Sequence, residues 1–164
     1  MPETLVLFEI NKGTFGMNIH NIVSIEKITE VSKVPKMPEY VSGIVNIRGQ
    51  IVPVIDMSKA LYDRAIEMNE HTRYILVETN ETIIAFMVEK TNEIISIDAD
   101  NVAEVNSLAK GANDFIKGVA MQDSRIITIL NLEALLLTLN DVDLIRAKIG
   151  ELNGVKMAHT GEPV

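Results

Sequence analysis

Asp56 ends the apolar run "VPVID", a place from which an aspartate could accept a phosphoryl group. That chemistry needs further acids to hold magnesium, a lysine and an alternating β/α chain, and the pattern around Asp56 is nearly all β. Capping the helical turn that follows, or pairing locally, is the plainer role. His20, His71 and His159 fall in a strand, a loop and the tail, without ligand spacing. Each reads as a partly exposed side chain with a local hydrogen bond. Glu78 and Glu81 lie in or beside a turn, with no pocket in sight. The chain has no cysteine, no G-x-S-x-G and no phosphate-cradling glycine run. No nucleophile–base pair, metal set or cofactor site can be assembled, so no catalytic residue is expected.

What remains is surface chemistry, and Arg48 is its focus. In "GIVNIRGQIVPVIDM" (43–57) it is a lone basic residue among Ile44, Ile47, Ile51, Val52, Val54 and Ile55. Gly49 follows it as if the chain turned there. Two readings stand. Arg48 is a turn arginine, solvated or paired internally to an acid, or it is a guanidinium held on a rigid frame for a partner.

The elements that would frame it are short strands. "TLVLFEI" (4–10) is followed by a turn at "NKG", and residues 14–28 alternate through Met17, Ile19 and Ile22. Pro35 and Pro38 mark a loop that runs into a strand near Val41. Two strands meet at Gly49; Pro53 places the second at an edge or a bulge. Ile51 is expected in the core. Residues 58–71 read as a short helical turn and loop, 72–79, 82–91 and 93–97 as strands, and 98–114 as loop. Residues 115–121 and 125–132 form another strand pair. The end is helical, with Asn140 as an N-cap and Leu144, Ile145, Ile149 and Leu152 on one stripe. The last dozen residues are expected to fray.

With 164 residues, 47% of them apolar, the chain can build a sizeable core. A net charge of -8 argues against nucleic-acid binding and against docking on an anionic membrane. The start lacks a signal-peptide pattern and no run is long enough to span a bilayer, so a soluble, cytoplasmic protein is expected. Aromatics are 4% and tryptophan is absent, which leaves an aliphatic core and no base-stacking platform.

The halves repeat. "YVSGIVNIRGQIVPVIDMSKAL" (40–61) aligns with "FIKGVAMQDSRIITILNLEALL" (115–136): Tyr40 with Phe115, Gly43 with Gly118, Ile51 with Ile126, Leu61 with Leu136. "LVLFEIN" aligns with "YILVETN" upstream. Two related β units of about 65–75 residues follow, each with roughly five short strands. Such units suggest small closed barrels packed on each other, with a single β-sandwich as the alternative.

These segments resemble the CheW family of chemotaxis proteins. "GIVNIRGQIVPVIDM" is similar to its hallmark segment, "FGMNIHNIVSIEKI" to its early strand pair, "VPKMPEYVSG" to its proline-bearing approach, and "FIKGVAMQDSRIITILNLEALL" to its second-half signature. The resemblance covers about residues 4–140 and implies an all-β fold: two SH3-like five-stranded β-barrels packed together, with a C-terminal helix. In this reading residues 1–164 form one CheW-like domain. Residues 14–81 make the first barrel, 4–13 and 82–140 the second, and 141–152 the helix.

The resemblance further implies a non-enzymatic adaptor. It would join the regulatory domain of the histidine kinase CheA to the cytoplasmic tip of methyl-accepting chemoreceptors, at membrane-associated receptor arrays and without inserting into the membrane. Arg48, Gly43, Ile22 and Ile94 are the receptor-binding residues it implies, Ile94 because receptors dock between the barrels; kinase-facing residues are not placed. Many members carry an acid close to position 24, where this chain has Ser24 and then Glu26. "MQDSR" is polar where the first half has "NIRG". Two other readings are the regulatory domain of a CheA kinase and a small-ligand-binding β-barrel. The chain's own Met1 and the lack of an upstream kinase segment favour the free adaptor, and its end soon after the second unit speaks against an attached receiver domain.

Overall fold

A computed structural model describes residues 2–79, 82–104, 115–139, 145, 147 and 149–153. The strands are β1 (Pro2–Ile10), β2 (Gly13–Asn18), β3 (Ile22–Lys27), β4 (Val41–Ile47), β5 (Gln50–Asp56), β6 (Arg73–Thr79), β7 (Thr82–Val88), β8 (Lys90–Asp98), β9 (Val102–Glu104), β10 (Ile116–Gln122) and β11 (Arg125–Leu130). Helix α1 (Met57–Tyr62) follows β5, and α2 (Leu132–Thr138) follows β11. The strands form a five-stranded sheet, β3-β6-β7-β5-β4, and a six-stranded sheet, β8-β1-β2-β11-β10-β9.

Alternation sorts the apolar residues into three cores. Tyr74 and Leu76 of β6, with Val52 and Val54 of β5, fill the first barrel. Leu5 and Leu7 of β1, with Ile127 and Ile129 of β11, fill the second. The intervening residues form a third core that both barrels share, including Ile75, Val77, Phe86, Phe8, Ile10 and Leu135. Strands β6, β7 and β1 are thus buried on both faces, which is why they read as nearly unbroken apolar runs. Shared burial lets two thin barrels behave as one core.

The two halves match in detail. Hairpins β4–β5 and β10–β11 both turn on two residues of positive φ, Arg48 and Gly49 in one, Asp123 and Ser124 in the other. Such two-residue turns match the twist of the strands they join. Asp56 N–H donates to Tyr40 C=O at 2.8 Å, and Asn131 N–H to Phe115 C=O at 2.7 Å. Asp56 caps α1 by accepting from Lys59 N–H, and Asn131 caps α2 from Ala134 N–H. At Gly43 a Cβ would lie 2.4 Å from Ser32 O; at Gly118 it would lie 2.6 Å from Val102 Cγ1. In each barrel a neighbouring segment runs against the glycine, where no side chain fits.

Several expectations are corrected. Residues 14–28 are not continuous strand: a 3-10 turn at Ile19–Asn21, capped by Asn18, carries the chain from the second sheet into the first. Sheet membership therefore departs from barrel boundaries at 14 and 81. Strand β2 pairs with β1 and β11, while β7 pairs with β6 and β5. The second sheet has six strands, because residues 102–104, read as loop, form β9.

Pro53 is not on an edge strand, since β5 lies between β7 and β4, and the bulge is in β4 between Val41 and Gly43. Ile44 faces Pro53, yet its N–H and C=O both bond to Ser32. Pro53 must therefore turn its nitrogen away from β4, to the side where β7 begins pairing only at Val54. A proline is tolerated there because the ladder asks for no donor. Ile51 is only half-buried, whereas Val52, Val54 and Ile55 are buried. Among the described C-terminal residues, 145, 147 and 149–153 are helical, with Ile145 and Ile149 buried. Asn140, Leu144, Glu81, His159 and, of the last dozen residues, all but Asn153 lie outside the described residues.

Candidate functional site

Arg48 occupies the first turn position of hairpin β4–β5, with φ 52°, and Gly49 the second, with φ 85°. Asn46 Oδ1 accepts the Gly49 N–H at 2.9 Å and stiffens the turn. The Arg48 side chain is 72% exposed, yet its Nη2 lies 2.9 Å from Glu26 Oε2, a carboxylate 22% exposed. That oxygen is shut off from solvent and has no hydrogen bond of good angle, so the guanidinium meets it as an ion pair. Glu26 sits opposite Tyr74 in the β3–β6 ladder and points to the first barrel's interior side. Strands β3 and β4 are the two ends of the five-stranded sheet. The Arg48–Glu26 pair therefore ties together ends that no ladder joins. The two readings of Arg48 merge: it is paired inside the fold and still open to a partner.

The other expected site residues are spread over this frame. Gly43 shares the hairpin with Arg48, and the clash of any Cβ with Ser32 gives it a backbone reason to be glycine. Ile22 opens β3, four residues before Glu26, and packs half-buried on the shared core. Ile94 stands on β8 of the other sheet, 59% exposed and opposite Val6. Val6 alternates with Phe8 and Ile10 of the shared core, so Ile94 lies on that core's side of its sheet. Ile25, 40% exposed, faces Ile75 of the same core from β3. Ile25 and Ile94 thus mark the rim of the seam between the barrels, one from each sheet. Glu26 is the residue that sequence reasoning left undecided. Its signal is alternation: positions 24 and 26 turn to the first barrel's own interior, and position 25 turns to the seam.

Other polar groups are locally engaged. Asp56 is buried; its carboxylate accepts from Lys59 N–H at 3.0 Å and Ile66 N–H at 2.9 Å. A cleft of 830 Å³ lies between the β3–β4 connection and the loop after α1, lined by Ile28, Val31, Met37, Ile66 and Met87 with Asp56 at its wall. Both Asp56 oxygens are already engaged by backbone N–H groups. Burial pushes the Glu3 carboxyl up, but hydrogen bonds from Asn18 and Lys117 and the lysine's charge outweigh it and hold the pKa below 4.5. Burial raises the Tyr74 phenol above its ordinary value, and its hydroxyl donates to Thr29 C=O at 3.0 Å. His20 N–H and His71 N–H donate to the neighbouring Asn18 and Asn69 side chains. Among the described residues no three His, Asp or Glu side chains gather as metal ligands, and no helix is long and apolar enough to cross a membrane.

The described residues make a double β-barrel with an exposed, ion-paired arginine at a hairpin tip and exposed apolar residues on each sheet. The CheW-like domain model matches residues 4–139, and the chain belongs to that family. It is 31% identical over 129 residues to the chemotaxis protein CheW of Helicobacter pylori, covering 79% of this chain and 78% of that protein. It is 25% identical over 135 residues to the Bacillus subtilis chemotaxis protein CheW, covering 82% and 86%. The crystal structure of the scaffolding protein TtCheW from Thermoanaerobacter tengcongensis superposes with a TM-score of 0.76 at 28% identity, over 85% of this chain and 95% of that one.

Proposed function

We propose that this protein is a non-enzymatic chemotaxis adaptor that couples the cytoplasmic tips of chemoreceptors to the regulatory domain of the histidine kinase CheA. It works in the cytoplasm at membrane-associated receptor arrays and needs no cofactor. The observation that carries this reading is Arg48: a guanidinium largely open to solvent, fixed on a two-residue turn and oriented by Glu26. A charged group already held in place loses little freedom on binding, which favours affinity. Arg48 supplies the charged contact to a receptor helix. Ile94 supplies an apolar contact at the seam, and Ile22 and Gly43 shape the surface between them.

The test is a co-sedimentation of the protein with a CheA regulatory domain and a soluble receptor cytoplasmic fragment. A ternary complex that Arg48→Ala weakens on the receptor side supports the assignment. Full receptor binding by the Arg48→Ala protein, or no kinase binding by the unaltered protein, overturns it.

A further inference from the structure

We infer that Asn153, on the C-terminal helical segment, is a positioning residue that sets the stance of the Arg48 hairpin. The argument starts from the β5 ladder. Ile51 faces Asn46 and Pro53 faces Ile44, so Ile51 and Pro53 turn their backbone groups to the same side, away from β4. On that side β7 pairs with Val54–Asp56 and no further. Ile51 would be left with an open N–H and an open C=O on a half-buried strand. The Asn153 carboxamide meets both: its Oδ1 accepts from Ile51 N–H at 2.8 Å, and its Nδ2 donates to Ile51 C=O at 2.9 Å. A primary amide carries one donor group and one acceptor group in the arrangement of a strand backbone, so it extends the ladder where β7 stops.

The attachment is anchored on the helix side, since Ile145 and Ile149 are buried. It is also placed where it matters. Ile51 lies across the hairpin from Asn46, whose side chain holds Gly49, and Arg48 precedes Gly49. The hairpin end is thus held at two points, at Ile51 by Asn153 and at Arg48 by Glu26. The second point is an ion pair with an exposed partner, which a binding protein can disturb. The first is a two-bond clamp that stays when the second opens. Asn153 touches no partner itself; it acts by fixing the strand from which Arg48 projects.

The inference rests on the receptor-binding reading of Arg48, and its test separates the two. The full chain is compared with Asn153→Ala, Arg48→Ala and the double variant, and with Asn153→Asp, which keeps the shape but sets a carboxylate oxygen against the Ile51 carbonyl. Affinity for a soluble receptor cytoplasmic fragment is measured together with backbone amide exchange at residues 49–52 and the melting temperature. We expect Asn153→Ala to weaken receptor binding about five-fold or more and to speed exchange at Ile51, with Asn153→Asp no better than Asn153→Ala. The double variant should bind no worse than Arg48→Ala alone, because residues in one network do not add. Additive losses of affinity, or unchanged affinity and exchange, overturn the inference. If Arg48→Ala itself leaves receptor binding intact, the receptor reading falls, and amide exchange alone decides whether Asn153 positions the hairpin.

Discussion

Arg48 and Glu26 meet at 2.9 Å across the gap between β3 and β4, the two ends of one sheet. The pair adds a side-chain tie beside the two backbone bonds between Ser32 and Ile44, and it leaves the guanidinium on the surface.

The two charges should separate under substitution. Arg48→Ala removes the group proposed to meet the receptor and should cost about 2 kcal/mol of receptor binding, roughly thirty-fold in affinity. It also strands the Glu26 oxygen; with Arg48 so exposed, the stability loss should stay near the surface-pair figure of about 1 kcal/mol. Glu26→Gln keeps the arginine and should leave binding within a few-fold. Calorimetry on both variants, with denaturant midpoints alongside, checks this. Equal losses of binding would show that the pair, rather than Arg48, is what the partner reads.

Gly43 and Gly49 are six residues apart and should respond differently. Gly43→Ala drives a Cβ to 2.4 Å from Ser32 O and must push the β3–β4 connection outward, whereas a Cβ at Gly49 meets nothing within 4 Å. We expect Gly43→Ala to destabilise by about 3 kcal/mol and Gly49→Ala by about 1 kcal/mol, the latter from positive φ alone. Urea unfolding decides it. A Gly43→Ala protein of parental stability would mean that Ser32 yields freely.

Ile55 and Ile51 share a strand but not a core. Ile55 is buried among residues of both barrels, and Ile51 is half-buried beside Asn153. Ile55→Ala should cost about 2–5 kcal/mol and Ile51→Ala clearly less. The reverse order of denaturation midpoints would place the shared core wrongly.

Glu3 gives the fold an acid limb. Its folded pKa is lowered below 4.5, so its contribution is fully present above that pH and is lost as pH falls through the folded value. Glu3→Gln should therefore lower stability at neutral pH and flatten the decline below about pH 4.5. Melting curves at several pH values, parent against variant, measure this. Parallel pH profiles would remove Glu3 from the account.

Much of this was legible in the chain. The repeat, the turn at Gly49 and the cap at Asp56 are local features, and residue type with spacing reveals them. Which sheet β2 and β7 join was not, because strand partners are chosen by packing between residues far apart in sequence. Pro53 pointed to an edge because its missing N–H was assumed to face a partner; the pairing of β5 with β7 begins one residue later, at Val54. Arg48 was visible as an anomaly, yet its partner lies across a closed barrel, and no periodicity connects residues 26 and 48. Asn153 carried no signal, since a lone asparagine on a helix resembles any solvated one.

The crossing of the chain between barrels bears on how the molecule assembles. Strands β3 to β7 are consecutive, so the first sheet can close with the chain between them alone. The second sheet needs β1 and β2 from the start of the chain and β8 to β11 from its later part, with Thr14 beside Ile127. Its formation must await the joining of distant segments, which slows folding through the entropy of closing long loops. Although the sequence is a visible duplication, neither copy supplies a barrel from one uninterrupted stretch. A cut between the copies would leave the later fragment without its central strands, and the two barrels should melt in a single transition.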